Sequence, residues 1–308
     1  MTSELDSQFT TYTGARQTMS SWAHVVETFD ALPVIYQEPF KRSVGNLGVF
    51  PYVVLAPAIA VLGNKRSTEK VLIKTGESLS ILEHSGHAIQ AVTFSVSAVD
   101  RVEYGNILIY SWITLRGVNA EGSPCASTIE FNTSSLRHIL PFILCLRPAP
   151  LDSDQNTLAL ERSKFDYLET ETYKFMSFAR ESLVQGERVI RAIWQPLLSR
   201  PATQLMFLPF KRKIALAHLV ILTDKELILI RDDPRSKEKR GIRYGGVWEY
   251  IPISKITSIS IAEKEAGIWL LSIQQLRVGP VEIYFDGAQK QDLASLQQDC
   301  EQLGISIR

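Results

Sequence analysis

Thr75-Gly76-Glu77-Ser78-Leu79-Ser80-Ile81 returns later in the chain as Thr223-Asp224-Lys225-Glu226-Leu227-Ile228-Leu229. Two more stretches return in the same order. Phe94-Ser95-Val96-Ser97-Ala98-Val99, with Val102 just beyond, comes back as Ile251-Pro252-Ile253-Ser254-Lys255-Ile256, with Ile259 just beyond. Ile129-Glu130-Phe131-Asn132 comes back as Ile283-Tyr284-Phe285-Asp286. Short Ile/Val/Thr strings recur in any β protein, but three in one order point to a duplicated unit, and a period this long is not that of a short-repeat solenoid. The offset between copies widens after the first block, so the second copy holds extra residues, in the charged, Gly-containing stretch from Asp232 to Val247. Insertions collect in surface loops, where they disturb no core.

Around these blocks the pattern predicts many short strands. They fall roughly at 51–61, 69–73, 79–83, 91–96, 98–104, 107–116 and 127–131 in the first copy. In the second they fall at 189–195, 214–222, 227–231, 248–252, 256–262, 268–275 and 280–285. Such a run of strands reads as a sandwich or partly open barrel. A helix is expected ahead of each copy. Trp22, Val25, Val26, Phe29 and Leu32 have helical spacing up to Pro33, after which Val34-Ile35-Tyr36 is expected to be extended. Phe165, Leu168, Phe175, Met176, Ala179 and Leu183 form the matching stripe before Gly186. A helix also closes each copy: Leu293, Leu296, Cys300 and Leu303 before Gly304, and Leu136, Ile139, Leu140, Ile143 and Leu144 with Pro141 inside. The organisation expected is a flexible segment at 1–20, a first domain at 21–147, a linker at 148–160 and a second domain at 161–308.

A chain of 308 residues suits two domains better than one core. Lys plus Arg equal Asp plus Glu at 33 each, which argues against a general nucleic-acid coating protein. Cys125, Cys145 and Cys300 are odd in number and lack metal-like spacing, so they read as reduced thiols in an intracellular, cytoplasmic protein. Residues 1–18 are polar and mixed in charge, with no apolar core of a signal peptide. The uncharged stretch from Leu47 to Leu62 is sixteen residues long and holds Pro51 and Pro57, whereas a spanning helix wants about 20 apolar residues. One or two buried strands is the preferred reading of it, an interfacial segment the alternative.

Leu222-Thr223-Asp224-Lys225-Glu226-Leu227, followed by Tyr250-Ile251-Pro252-Ile253-Ser254-Lys255-Ile256-Thr257-Ser258-Ile259, resembles the bacterial pleckstrin-homology-like and GRAM pattern. Leu183-Val184-Gln185-Gly186-Glu187 is similar to the opening of such domains. The resemblance covers most of the second copy. The first copy departs from it, with Ser95 where Pro252 stands and no Gly-Glu opening. The resemblance implies a mostly β, α+β fold: two pleckstrin-homology-like, partly open barrels, each with a C-terminal helix. This superfold hosts lipid, peptide and purely structural roles, so it does not fix function.

Catalytic motifs are missing. No phosphate-cradling loop, dinucleotide fingerprint, nucleophile elbow or His-Glu-x-x-His is present, and the expectation is a non-enzymatic chain without cofactor or metal. His84 and His87 are close, but no further ligands are arrayed near them. Glu169 and Glu171 read as a solvated helix face. Candidate anion, lipid or partner contacts come from the inserted loop: Arg231, Arg235, Lys237, Lys239, Arg240 and Arg243, with Tyr244 and Trp248 at its end. Cationic side chains attract anionic headgroups, and an adjoining aromatic can sit at the membrane interface. In lipid-binding members of the family, basic residues near the first strand pair grip inositol phosphates, which offers Lys211, Arg212 and Lys213 as further candidates. Against these stand bland readings: a solvated loop of mixed charge, and a basic strand edge that guards against aggregation. Trp112 and Trp269 are expected in corresponding late strands as core filler. The leading function is a binding or scaffolding protein that engages a protein partner or itself. The alternatives are a peripheral membrane protein using the basic loops and an enzyme with an unrecognised site.

Overall fold

The computed structural model describes residues 21–45, 48–59, 66–86, 88–148, 155–201, 211–236 and 243–308. The N-terminal segment, residues 149–154 of the expected linker, and Lys237, Lys239 and Arg240 lie outside the described residues. The fold is mostly β with helices on its faces. In the first half β1 (His24–Val26), β2 (Tyr52–Ala56), β3 (Lys70–Thr75), β4 (Ser78–Ser85) and β5 (Ala88–Ile107) pair in order. β5 also pairs β6 (Tyr110–Asn119), which pairs β7 (Pro124–Asn132).

The second half begins with β8 (Val189–Gln195), and β9 (Leu198–Pro201) and β10 (Lys211–Ala215) then pair with each other. β8, β11 (His218–Thr223), β12 (Glu226–Arg231) and β13 (Gly246–Pro252) form a sheet in that order. β14 (Ile256–Glu265), β15 (Ile268–Gln275) and β16 (Val281–Asp286), with β17 (Ser306–Ile307) beside β14, make a separate sheet.

The pairings repeat residue for residue. Leu79 faces Phe94 as Leu227 faces Ile251. Val102 faces Leu115 as Ile259 faces Ile273, and Ile113 faces Ile129 as Leu271 faces Ile283. A one-residue slip would turn every side chain to the other face, so matched register means matched cores. The two tryptophans expected to correspond miss by one position. Ser111 faces Phe131 as Trp269 faces Phe285, so Trp112 falls on the opposite face of its strand.

One substitution separates the halves. Pro252 closes β13, and 253–255 turn before β14 begins. At the matching position Ser95 retains its N–H, and β5 runs on for 20 residues through irregular register between Phe94 and Arg101. Proline cannot donate to a ladder; serine can. The far half of β5 then pairs with β13, from Gly246 opposite Asn106 to Tyr250 opposite Val102. This seam joins the two halves into one eleven-stranded sheet. The sheets are not closed barrels: strand β5 continues from one half into the other.

Helices cover the outer faces. α1 (Val34–Val44) buries Tyr36 and Phe40 against Val71 and Ile73. Downstream of α2 (Leu136–Leu144) and α3 (Gln155–Ser163), α4 (Glu169–Ser182) buries Phe175, Met176 and Ala179 against Leu219 and Ile221. Leu72 and Val220 point the other way, into the inner cores. With both faces covered, β11 and β12 read as continuous apolar runs, and each fully buried aliphatic side chain contributes about 2 kcal/mol. α5 (Lys290–Gln302) buries Leu293, Leu296 and Cys300 as its stripe predicts, and Gly304, at φ +80°, follows its end.

Two local expectations fail. The helix predicted over Trp22 to Leu32 is instead β1 and a single 3-10 turn at Phe29–Ala31. Pairing with β2, from His24 opposite Leu55 to Val26 opposite Val53, overrides a helical spacing too short to hold alone. Pro33 starts α1 rather than ending a helix, and Val34 to Tyr36 are its first turn. In the stretch from Leu47 to Leu62 the described part supplies the buried strand β2. Among the described residues no helix is long and apolar enough to cross a membrane.

Candidate functional site

The seam between β5 and β13 has two faces, and each opens into a cavity. Alternation along the strands sorts the residues: Tyr104, Asn106, Trp248 and Tyr250 line one cavity, Glu103 and Val247 the other.

The first cavity is an apolar groove of about 620 Å³ between α2 and α4. Its floor is aromatic. Trp248 stacks on Tyr104 at 5.3 Å and meets Phe178 at 4.6 Å, while its indole N–H donates to the Phe178 carbonyl at 3.4 Å. The chain reaches this floor through Gly245 at φ +73°, where a Cβ would lie 1.8 Å from the Asn106 carbonyl oxygen. Only glycine permits that approach. Leu140 and Leu144 form the α2 wall and remain partly exposed. The tip of the β5–β6 hairpin stands at the rim, with Leu108 65% and Ile109 73% exposed. Leu108 has φ +56°, a left-handed conformation that glycine ordinarily fills. Glu181 lies on the opposite wall and accepts from the Ser177 hydroxyl at 3.1 Å.

Arg147 closes the inner end of the groove. It follows α2, where the sequence suggests the start of a linker, yet it is buried. Its Nε donates to Glu226 at 2.9 Å, Nη2 donates to Glu187 at 3.3 Å, and the guanidinium lies 4.0 Å over the Tyr250 ring. Burial pushes the Glu187 carboxyl well above the usual carboxylate range; neighbouring Glu226 adds to the rise and Arg147 opposes it. Two buried carboxyls facing one cation hold a proton for the same reason that like charges cannot both ionise out of water.

The second cavity, of about 470 Å³, carries the charge. Glu249 stands directly opposite Glu103 across the seam. Arg231 bridges the two, at 2.6 Å from Glu249 and 3.4 Å from Glu103, and Arg101 meets Glu249 from the other side at 3.3 Å. The Trp112 indole N–H donates to Glu103 at 2.8 Å. Trp112 lies across Gly105, where a Cβ would be 1.8 Å from the ring. Arg235 stacks on Trp112 at 3.7 Å, with its guanidinium held by Asp233 at 2.7 Å.

The structure places the candidate residues as follows. Arg231 and Arg235 meet at this cavity but face carboxylates. Arg243 donates to the Ser236 carbonyl. Lys211, Arg212 and Lys213 lie on β10, and Arg212 is 3.8 Å from Glu265. Trp248 is 6% exposed and floors the groove. Sequence reasoning did not single out Glu103, Glu249, Asp233, Arg147 or His218, and it read Glu187 only as part of the Leu183–Glu187 opening. Of the first five, Asp233 carried a local sign, its position two residues from Arg235. Among the described residues no group of His, Cys, Asp and Glu is gathered for a metal ion. Compared with known proteins, the chain matches no family model and no curated sequence.

Proposed function

We propose that this chain is a non-enzymatic, cytoplasmic binding protein built from two pleckstrin-homology-like units, and that it captures an amphipathic segment of a partner protein in the groove between α2 and α4. The repeated strand register supports the two-unit reading, and the three free cysteines fit a reducing compartment. The groove carries the functional reading. It combines an aromatic floor, partly exposed Leu140 and Leu144, and an apolar hairpin tip that the fold holds in an unfavourable backbone conformation. Strain kept at an exposed apolar residue is a sign of use rather than of packing. Glu181 on the wall selects a segment with one cation among its apolar residues. Headgroup binding through Arg231 and Arg235 has less support, because carboxylates engage both.

A photo-reactive amino acid at position 144 tests this reading, with a control at exposed Val34. Ultraviolet light applied in the cells that make the protein should join position 144, and not position 34, to one polypeptide. That polypeptide, purified, should bind wild type and lose about tenfold or more in affinity to Leu140→Glu, a cost of about 1.4 kcal/mol. Crosslinks to lipid alone, or equal affinity for Leu140→Glu, would refute the assignment.

A further inference from the structure

The charged cavity contains a side chain that the seam does not use. His218 opens β11, is 4% exposed, and lines the cavity beside Arg231, its cross-strand neighbour. Its Nδ1 lies 2.8 Å from the Leu216 carbonyl oxygen. A carbonyl only accepts, so Nδ1 carries the proton. Burial pushes the imidazole down to about 4, so the ring is neutral at ordinary pH. A neutral ring with its proton on Nδ1 leaves Nε2 as a bare acceptor, and Nε2 has no hydrogen-bond partner in the protein. A buried polar group left unpaired destabilises the fold, and a ligand donor would recover that loss. The ring is held in place by an edge contact with Phe285 at 5.0 Å.

The rest of the lining selects the donor. Glu103, Asp232, Asp233 and Glu282 outnumber Arg231 and Arg235, so the cavity is acidic on balance. Asp232 is engaged by Lys174, Asp233 by Arg235, and Glu103 by Trp112 and Arg231. Glu282 is exposed on β16 at the mouth. Ile214, Leu216, Leu229, Pro234 and Val247 supply apolar wall. We propose that this cavity is a binding site for a small organic amine with an apolar body, whose N–H donates to His218 Nε2 while its charge faces Glu282. The volume suits such a ligand, since small-molecule sites begin near about 300 Å³. This site is independent of the groove on the other face of the seam.

The full chain, labelled with ¹⁵N at histidine, tests the assignment with two matched probes, benzylamine and benzoate. The free protein should show His218 as the Nδ1–H tautomer. Benzylamine should shift the Nε2 resonance in a saturable way and benzoate should not. His218→Phe keeps an aromatic ring beside Phe285 and should weaken benzylamine binding by about tenfold or more. Glu282→Gln, at an exposed position, should weaken it by a smaller factor. If benzylamine leaves Nε2 unmoved, the assignment is overturned. It is overturned equally if benzoate binds as tightly, or if His218→Phe with an unchanged melting curve binds benzylamine like wild type.

Discussion

Arg147→Met removes the one cation between two buried carboxyls, and its cost follows from the geometry. In the wild type Arg147 contacts Glu226 and Glu187, and burial already keeps the Glu187 carboxyl protonated beyond its usual range. Methionine fills a similar volume but leaves the carboxyl pair with no counter-charge. To stay buried, the pair must then hold a second proton. At pH 7, placing a proton on a carboxyl of ordinary pKa near 4.3 costs about 1.36 kcal/mol per pH unit, about 3.7 kcal/mol in all; at pH 5 the same step costs about 1 kcal/mol. Loss of the cation–π contact with Tyr250 adds about 1 kcal/mol at either pH. The total at pH 7 agrees with the ~3–5 kcal/mol typical of breaking a buried pair. Urea unfolding followed by circular dichroism at pH 7 and pH 5 should therefore show a destabilisation that shrinks by more than half on acidification. Adding Glu187→Gln and Glu226→Gln to Arg147→Met should restore most of the loss at pH 7. A cost that is the same at both pH values would mean that Arg147 acts by packing, and the charge argument would fail.

Two further outcomes follow from the same structure. Leu108→Gly relieves the left-handed conformation at φ +56° and gives up little burial, so after the entropic cost of glycine it should stabilise the chain by about 0.5–1 kcal/mol. The melting temperature should rise by a few degrees; a fall would show that the hairpin tip is not strained. The pH profile should also be asymmetric. Glu187 has a folded pKa raised above its ordinary value, so the native state holds the proton longer, and stability falls as pH climbs through that interval. His218 has a folded pKa lowered from 6.5 to about 4, so its contribution is complete above pH 6.5 and lost as pH falls toward 4. The slopes oppose each other below pH 6.5, and only the Glu187 slope continues above it. Glu187→Gln imitates the protonated carboxyl and should flatten the decline above pH 6.5; an unchanged slope would count against the buried proton.

The correspondence between strands of the two halves was legible because duplication wrote it twice. Leu79 and Phe94 match Leu227 and Ile251 in sequence, and the ladder pairs them in the same way. The seam was not legible. Val102 to Asn106 and Gly246 to Tyr250 carry no local pattern that pairs one with the other, since strand pairing over a long separation leaves only a hydrophobic face in each partner. The exchange of Pro252 for Ser95 was visible, but its consequence, a strand long enough to reach the other half, depends on tertiary pairing. The Trp22 to Leu32 stripe failed for a related reason: a three-residue strand and a 3-10 turn bury Val26 and Leu32 as well as a helix would. At the site, the basic residues of the inserted loop stood out as a run. The carboxylate partners of Arg231, Glu103 and Glu249, come from other strands, so that pairing could not be read from the loop.

The seam explains why the two cavities differ in chemistry. A strand pair between two units must present alternate residues to its two sides. On one side Tyr104 and Trp248 stack, and the groove they floor is apolar. On the other, Glu103 and Glu249 are forced into opposition, and like charges at that spacing destabilise a sheet unless a cation lies between them. Arg231 meets that need, which commits it to the fold. Arg235 is likewise committed to Asp233 and Trp112. Arg231 and Arg235 are thereby occupied, while the neutral imidazole of His218, which lines the same cavity, keeps an acceptor nitrogen without a partner in the protein. Function at the polar face should therefore respond to substitutions that alter an acceptor more than to those that alter a positive charge. Arg235→Gln should loosen Trp112 and lower stability, whereas His218→Phe should change what the cavity holds.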